Sequence, residues 1–375
     1  MVNPFKYGEA VTGEYFCNRT REIQELTSCI KAAQNVFIYS NRRLGKTSLI
    51  KMVVQDLVKN RESIAVYVDV HRANSPPQFL EIYSRAISQA FLTRREKIEK
   101  IANLFRRIIP SFEMGKDGSW KVSFDFSRIK SSVERALEEV YELPENIAKD
   151  YKKRVVVIFD EFQEISQFDG KQFEKKMRSF IQHHNDVCYI FMGSKTHTIL
   201  EMFSDPERAF YKSARVYPLP PICSEELVNF VCKRFKWGNK RISNLLAKKI
   251  VNLSKNIPYY VQMLSSIIWL NTSKDEIEDY DIKDALEEIL RAQNELFYSW
   301  YDFCSPRQRA VLSALTKTDE IFSQDARLLY NLSSSASVQT SLKALMKNGL
   351  VTKDNGKYHI IDPFFQIWIE RNVRV

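Results

Sequence analysis

Asn35-Val-Phe-Ile-Tyr39, then Ser40-Asn-Arg-Arg-Leu-Gly-Lys-Thr47, then the helical run Ser48–Lys59: this is the stretch from which the fold is read. The short, β-rich apolar run predicts a strand buried on both faces. The segment after it has the spacing G-x-x-x-x-G-K-[ST], with Ser40 standing where the first glycine usually does. A strand–loop–helix unit of this kind curls successive backbone N–H groups around phosphate oxygens at the positive end of a helix. Gly45 lets the backbone approach closely, Lys46 reaches the β- and γ-phosphates of a nucleotide, and Thr47 offers a hydroxyl to Mg²⁺. Ser40, Arg43, Leu44 and Ser48 complete the expected binding loop. A Cβ at Ser40 would cost about 1 kcal/mol if φ is positive there, but it removes no phosphate ligand.

Val155-Val-Val-Ile-Phe-Asp160-Glu161 supplies the second half of such a site. A buried strand ending in two carboxylates suits Asp160 to hold the water shell of Mg²⁺ and Glu161 to orient an attacking water. Ser63–Val70 and Val187–Met192 are further strand candidates, and Pro77–Ala90, Ser131–Leu143 and Gln172–His183 read as helices. The alternation predicts an α/β domain on a parallel sheet, spanning residues 1–220. Ser111–Phe126 departs from it, alternating around a Lys-Asp-Gly turn as an inserted β-hairpin.

After Pro218-Leu-Pro-Pro221 the pattern is helical through residue 290, which predicts a helical lid domain over 221–290. From Ser305 the order is Pro306–Thr316, Gln324–Tyr330 and Ser337–Asn348 as helices, then Leu350–Lys353 and Tyr358–Ile361 as a hairpin. Three helices and a hairpin predict a winged helix over 291–375. Asn348-Gly349 fits a helix C-terminus, where glycine adopts a left-handed backbone cheaply.

Composition narrows the functional classes. Apolar residues make up 44% of the chain and charged ones 27%, as in a globular protein. No apolar run is long enough for a membrane span, and Met1-Val-Asn-Pro-Phe-Lys does not read as a signal peptide, so a cytoplasmic protein with no membrane partner is expected. Six scattered cysteines without a metal-ligand spacing fit reduced thiols. His183-His184 reads as a solvated helix end, and Tyr298, Trp300 and Tyr301 as packing residues at a domain joint. The net charge is +10, and residues 91–130 hold ten basic residues, Arg94 and Lys97 among them, against five acidic ones. That stretch reads either as a solvated helix and hairpin or as a docking patch for a polyanion or protein partner.

Several further segments carry a resemblance. Phe16-Cys-Asn-Arg19-Thr-Arg-Glu22, Arg42-Arg-Leu-Gly-Lys-Thr-Ser-Leu49, Phe159-Asp-Glu-Phe-Gln-Glu-Ile165 and Met192-Gly-Ser194 come in that order. They are followed by Phe210-Tyr-Lys-Ser-Ala-Arg215, Asn256-Ile-Pro-Tyr-Tyr-Val-Gln262 and Tyr358-His-Ile-Ile-Asp-Pro-Phe-Phe-Gln-Ile-Trp368. Together they resemble the archaeal-type ATPases, a branch of the AAA+/STAND P-loop ATPases, over nearly the whole chain. The resemblance implies ATP or ADP with Mg²⁺ as ligands, and Phe16, Asn18 and Arg19 against the adenine. It also implies Ser194 as a polar sensor of the γ-phosphate, and Pro258 and Tyr259 closing the lid over the base. Arg215 is implied either as a charge-compensating arginine, in its own subunit or a neighbour's, or as a brace between core and lid. Asn256 replaces the usual glycine of the lid motif, and asparagine tolerates the positive φ expected there.

These features lead to an expected ATP-driven switch with slow hydrolysis and an unknown protein partner. The alternative is a DNA-binding ATPase whose winged helix grips duplex DNA through Gln339, Thr340, Lys343 and Lys347. A third reading keeps ADP as a structural ligand. Residues 301–375 carry ten basic and seven acidic residues, so this module has no strong basic excess.

Overall fold

The computed structural model describes residues 2–90, 110–114, 120–124, 133–168, 170–194, 196–354 and 356–373. Apart from Lys121, the basic residues of the 91–130 stretch lie outside them. The chain folds as two compact units. One comprises Arg19–Asn41 and Gly45–Pro220; the other comprises Met1–Asn18, Arg42–Leu44 and Pro221–Val375.

The first unit is built on a five-stranded sheet of β1 (Val36–Tyr39), β2 (Ser63–Asp69), β5 (Arg154–Asp160), β6 (Val187–Gly193) and β7 (Arg215–Pro218), in the order β2-β5-β6-β1-β7. Every pairing is parallel. All seven residues of β6 are buried, as a central strand covered on both faces requires. The helices packed around the sheet include α1 (Thr20–Lys31), α2 (Lys46–Lys59) and α3 (Pro76–Gln89). Between α3 and β5 come β3 (Pro110–Met114), paired antiparallel with β4 (Trp120–Phe124) as the expected hairpin, and then α4 (Val133–Tyr151). α5 (Gly170–Ile181) and α6 (Thr196–Ser204) flank β6 in sequence. An aromatic core of Phe37, Phe79, Phe159, Phe162, Phe191, Phe203 and Phe210 is fully buried beneath them.

Three differences from the sequence reading have physical causes. α4 runs on through Pro144, because Leu143, Ile147 and Ala148 bury one face and Glu145 accepts from the backbone N–H of Asn185 and Asp186. β7 was not foreseen: it is four residues long and exposed at three of them, so it carries no apolar run. His184 is not solvated, since its side chain is 1% exposed and its Nδ1 lies 2.7 Å from the Tyr189 hydroxyl. Burial lowers its pKa, which keeps the ring neutral among aromatic neighbours.

The second unit holds α7 (Ser224–Trp237), α8 (Asn244–Leu253), α9 (Pro258–Asn271), α10 (Asp279–Ala292) and α11 (Asn294–Asp302). The winged helix follows as α12 (Pro306–Leu315), α13 (Gln324–Leu329), α14 (Ser335–Lys347), the hairpin β8 (Val351–Asp354) and β9 (Lys357–Ile360), and α15 (Pro363–Asn372). Its helix starts are written in the sequence: Ser305 and Gln308 form a reciprocal capping box, and Asp362 caps α15. Helices α7–α11 and the winged helix share one apolar core through residues such as Leu264, Ile289, Phe297, Leu312, Leu345 and Phe365. Trp300 and Tyr301 pack against Phe365 and Trp368, while Tyr298 is 58% exposed and packs less than expected. Among the described residues no helix is long and apolar enough to cross a membrane.

One ion pair in the first unit is deeply placed. Glu174 is 1% exposed and accepts from Arg208, whose Nη1 also donates to Glu201 at 3.0 Å. Arg208→Ala would leave the Glu174 carboxylate buried and unpaired, at a cost of about 3–5 kcal/mol. Urea unfolding should show a lower midpoint with an unchanged slope.

Candidate nucleotide-phosphate site

The phosphate loop leaves β1 at Tyr39 and enters α2 at Lys46. Two of its residues have a left-handed backbone, Arg43 with φ 68° and Gly45 with φ 86°. Alternating handedness of this kind turns consecutive N–H groups toward one concavity, which is what an anion needs. At Gly45 the conformation is cheap; at Arg43 it costs about 1–2 kcal/mol. Ser40 does not have positive φ, so the expected penalty there does not arise. Its oxygens instead receive the lysine: Lys46 Nζ donates to Ser40 O at 3.1 Å, to Ser40 Oγ at 3.2 Å and to Asn41 O at 3.4 Å. Lys46 is 8% exposed, and Leu44 and Ser48 are buried with it.

Strand order assembles the rest. β6 lies between β1 and β5, so the residue after β6 falls between the phosphate loop and the carboxylates ending β5. That residue is Ser194. Its hydroxyl lies 2.8 Å from both Glu161 oxygens. Gln163 Nε2 donates to Glu161 Oε2 at 2.6 Å. Asp160 Oδ2 accepts from Thr47 Oγ1 at 3.1 Å and from Tyr67 Oη at 2.6 Å, while Oδ1 accepts from the Glu161 N–H. A carboxylate and a hydroxyl oxygen side by side at the phosphate loop are the hard donors that Mg²⁺ takes, so Thr47 and Asp160 fit that ion.

The two carboxylates differ in environment. Burial raises the pKa of Asp160, and the neighbouring Glu161 charge adds to that, against the pull of its hydrogen bonds. For Glu161, burial also pushes upward, but donation from Gln163 and Ser194 and the Lys46 charge outweigh it and leave the pKa lowered. Glu161 therefore stays ionised at neutral pH. Its backbone is left-handed, with φ 52°, a second strained point within the same site.

Gly193 explains how Gln163 comes so near. A Cβ at this position would stand 2.3 Å from Gln163 Oε1 and 2.6 Å from Ile199 Cδ1. Tyr67, Gln163 and Gly193 were not singled out in the sequence. The only signal was that Gln163 and Gly193 lie inside the two motifs and Tyr67 near the end of a strand.

Arg215 and Arg19, also expected at the site, have other partners. Arg215 is in register with Val36, at the end of the sheet opposite the phosphate loop, and its guanidinium faces Cys29 and Glu25. It does not reach the phosphate site within its own chain, because β7 runs parallel to β1 and Arg215 opens it. Arg19 is 3% exposed and is engaged with Glu22 Oε1 at 2.9 Å and Pro220 O at 3.0 Å. Phe16, Asn18, Pro258 and Tyr259 belong to the other compact unit, where Asn18 donates to Glu226 and Pro258 opens α9. Asn256 has φ 57°, the turn its residue type permits.

A phosphate loop between a buried strand and a helix, beside an acidic strand end in a parallel sheet, defines a P-loop nucleotide-binding fold, here with a winged helix. The chain matches an ATPase domain found predominantly in Archaea over residues 16–264 and a probable winged helix domain over residues 295–371. It belongs to that archaeal ATPase family. It is 25% identical over 302 residues to an ATP-binding protein of Methanocaldococcus jannaschii, covering 72% of this chain and 79% of that one. A Walker-type ATPase of Pyrococcus abyssi shares the fold with a TM-score of 0.65 at 16% identity, over 98% of this chain and 99% of that one. The Aeropyrum pernix ORC2 protein, solved in ADPNP and ADP complexes, does so at 0.56 and 16%, over 98% and 96%. The Aeropyrum pernix ORC1 protein in complex with DNA does so at 0.52 and 12%, over 96% and 94%.

Gly193→Ala should leave nucleotide affinity near that of the parent, because no phosphate-loop atom moves. It should lower ATP turnover by about tenfold to a hundredfold, as Gln163 is pushed off Glu161. Isothermal titration beside a steady-state phosphate-release assay checks both halves.

Proposed function

We propose that the chain is a nucleotide-dependent switch that binds ATP with Mg²⁺ and hydrolyses it slowly. The observation that carries this reading is the convergence of Lys46, Thr47, Asp160, Glu161 and Ser194 at neighbouring strand ends. Lys46 would move from the Ser40 and Asn41 oxygens onto the β- and γ-phosphates, exchanging neutral acceptors for charged ones. Thr47 and Asp160 would hold Mg²⁺, which when bound neutralises charge on the phosphate oxygens. Glu161 would orient the attacking water. It is engaged by Ser194 and Gln163, and a base that must first release two hydrogen bonds suits slow turnover.

Ser194 makes the site sensitive to nucleotide state, because a γ-phosphate competes with Glu161 for its single O–H. ATP and ADP would thus leave Glu161 in different bonding states, and only such differential contact can shift a conformational equilibrium. The parts acting in this cycle would be a core over residues 1–220, a helical lid over 221–290 with Phe16, Asn18, Arg19, Pro258 and Tyr259 toward the base, and a winged helix over 291–375. A protein partner would read the outcome in the cytoplasm.

Lys46→Ala should weaken ATP binding by at least about a hundredfold, near 2.7 kcal/mol; equal affinity in titration calorimetry would remove the site assignment. Glu161→Gln should retain ATP while losing about a hundredfold or more of turnover, because the carboxylate alone is removed. Single-turnover hydrolysis at the parent's rate would contradict the role given to Glu161.

A second reading is favoured by one face of α14. Gln339, Thr340, Lys343 and Lys347 are all exposed there, and neither lysine has an ion-pair partner among the described residues. This face could meet phosphates and base edges of duplex DNA under nucleotide control. Fluorescence anisotropy on duplex DNA, with ATP and with ADP, should then show binding that falls steeply with salt and differs between nucleotides. Absence of binding at low salt leaves the protein-partner switch.

A further inference from the structure

Within the second compact unit, one carboxylate ties together three motifs. Asp362 caps α15, its Oδ1 accepting from Phe364 N–H at 2.9 Å and Phe365 N–H at 3.1 Å. Its Oδ2 accepts from Tyr260 Oη at 2.6 Å and from Arg43 Nη1 at 3.0 Å. The Asp362 side chain is 8% exposed, so the charge is held by these four donors and little water. The Arg43 guanidinium lies over the Tyr259 ring at 4.7 Å and the Tyr260 ring at 4.9 Å. Arg43 is thereby engaged by an ion pair to the residue that caps α15 and by two tyrosine rings set edge to face. It is also the residue whose left-handed backbone the phosphate loop requires.

We propose that Asp362 is a positioning residue for the phosphate loop, acting through Arg43, so that the cap of the last winged-helix helix sets nucleotide affinity. This rests on the phosphate-site reading and supplies its coupling element. A loop arginine freed from Asp362 relaxes from positive φ, and the N–H groups at Arg43 and Gly45 lose their common direction. Coupling of this kind is reciprocal: a nucleotide that holds the loop must stabilise the Arg43–Asp362 pair by the same factor. The pair has room to open. It borders a cavity of about 510 Å³, also lined by Arg42, Trp300 and Phe365, into which the guanidinium can swing while α15 keeps its cap. Tyr259, expected on sequence to cover the base, is in this state partly covered by Arg43. Release of Arg43 from Asp362 is therefore also what would free that ring.

A double-mutant cycle tests the proposal. Asp362→Asn removes the charge but keeps a side-chain oxygen for the helix cap, since asparagine caps as well as aspartate; Arg43→Gln removes the other end of the pair. The affinity and dissociation rate of a fluorescent ADP analogue are measured on the full chain by anisotropy and stopped flow. Each single variant should bind about tenfold more weakly, chiefly through faster dissociation, and the double variant no more weakly than either. Arg43→Lys, which keeps a cation opposite Asp362, should recover most of the affinity, a rescue that a purely structural cap would not produce. Affinity of Asp362→Asn within about twofold of the parent, or additive losses in the double variant, overturns the proposal. If Asp362→Asn melts below the assay temperature, Arg43→Gln, which leaves the cap intact, decides by the same thresholds. A parent protein that binds no nucleotide removes the phosphate-site reading and this inference together, whereas a binding parent with unaffected variants removes this inference alone.

Discussion

A phosphate loop works by aiming backbone N–H groups inward, and a chain of L-residues can do so only by leaving the right-handed region at chosen points. Here those points are Arg43 and Gly45. Glycine meets the demand without side-chain help. Arginine does not, and here the Arg43 guanidinium is engaged from outside the loop by the Tyr259 and Tyr260 rings and the Asp362 carboxylate. Lys46 is bound in turn to the first loop oxygens. The loop is thus pre-shaped by contacts at its apex and its base, and its affinity for nucleotide depends on both.

The acidic half of the site depends on strand order in the same way. With β6 between β1 and β5, whatever follows Gly193 must lie between the loop and the acidic strand end. A serine there meets Glu161, and the missing side chain at Gly193 admits Gln163 to the same carboxylate. Glu161 thereby sits ionised, engaged and in a strained backbone. Strain retained at such a residue points to a site selected for a change of state rather than for stability alone.

Much of this was legible in the sequence, and the parts that were not share a cause. Asn35–Tyr39 and Val155–Phe159 announce buried parallel strands because nothing else needs that many consecutive β-branched and aromatic residues. Lys46 and Thr47 are recognised by their place at a helix start after a buried strand and Asp160 by its place at a strand end, and the Thr47–Asp160 contact joins the two motifs. Arg215 resembles a charge-compensating arginine by its motif, yet its position is set by the direction of a short exposed strand that left no apolar signature. His184 looks solvated beside His183, and only packing against Tyr189 reveals it as buried. Tyr67 and Asp362 act on residues 93 and 319 positions away in the chain, a partnership no local pattern encodes. Ser40 misleads in the opposite sense: its replacement of glycine suggests strain, whereas the left-handed turn has moved to Arg43.

The central claim is that nucleotide state is felt at both the phosphate loop and the winged helix. Hydrogen–deuterium exchange of the full chain, compared between saturating ATP with Mg²⁺ in the Glu161→Gln background and saturating ADP, reads both places at once. The account predicts that both nucleotides protect residues 40–48, and that exchange across 362–372 differs between the ATP and ADP states. Identical exchange of 362–372 in the two states, with both sites saturated, would contradict it.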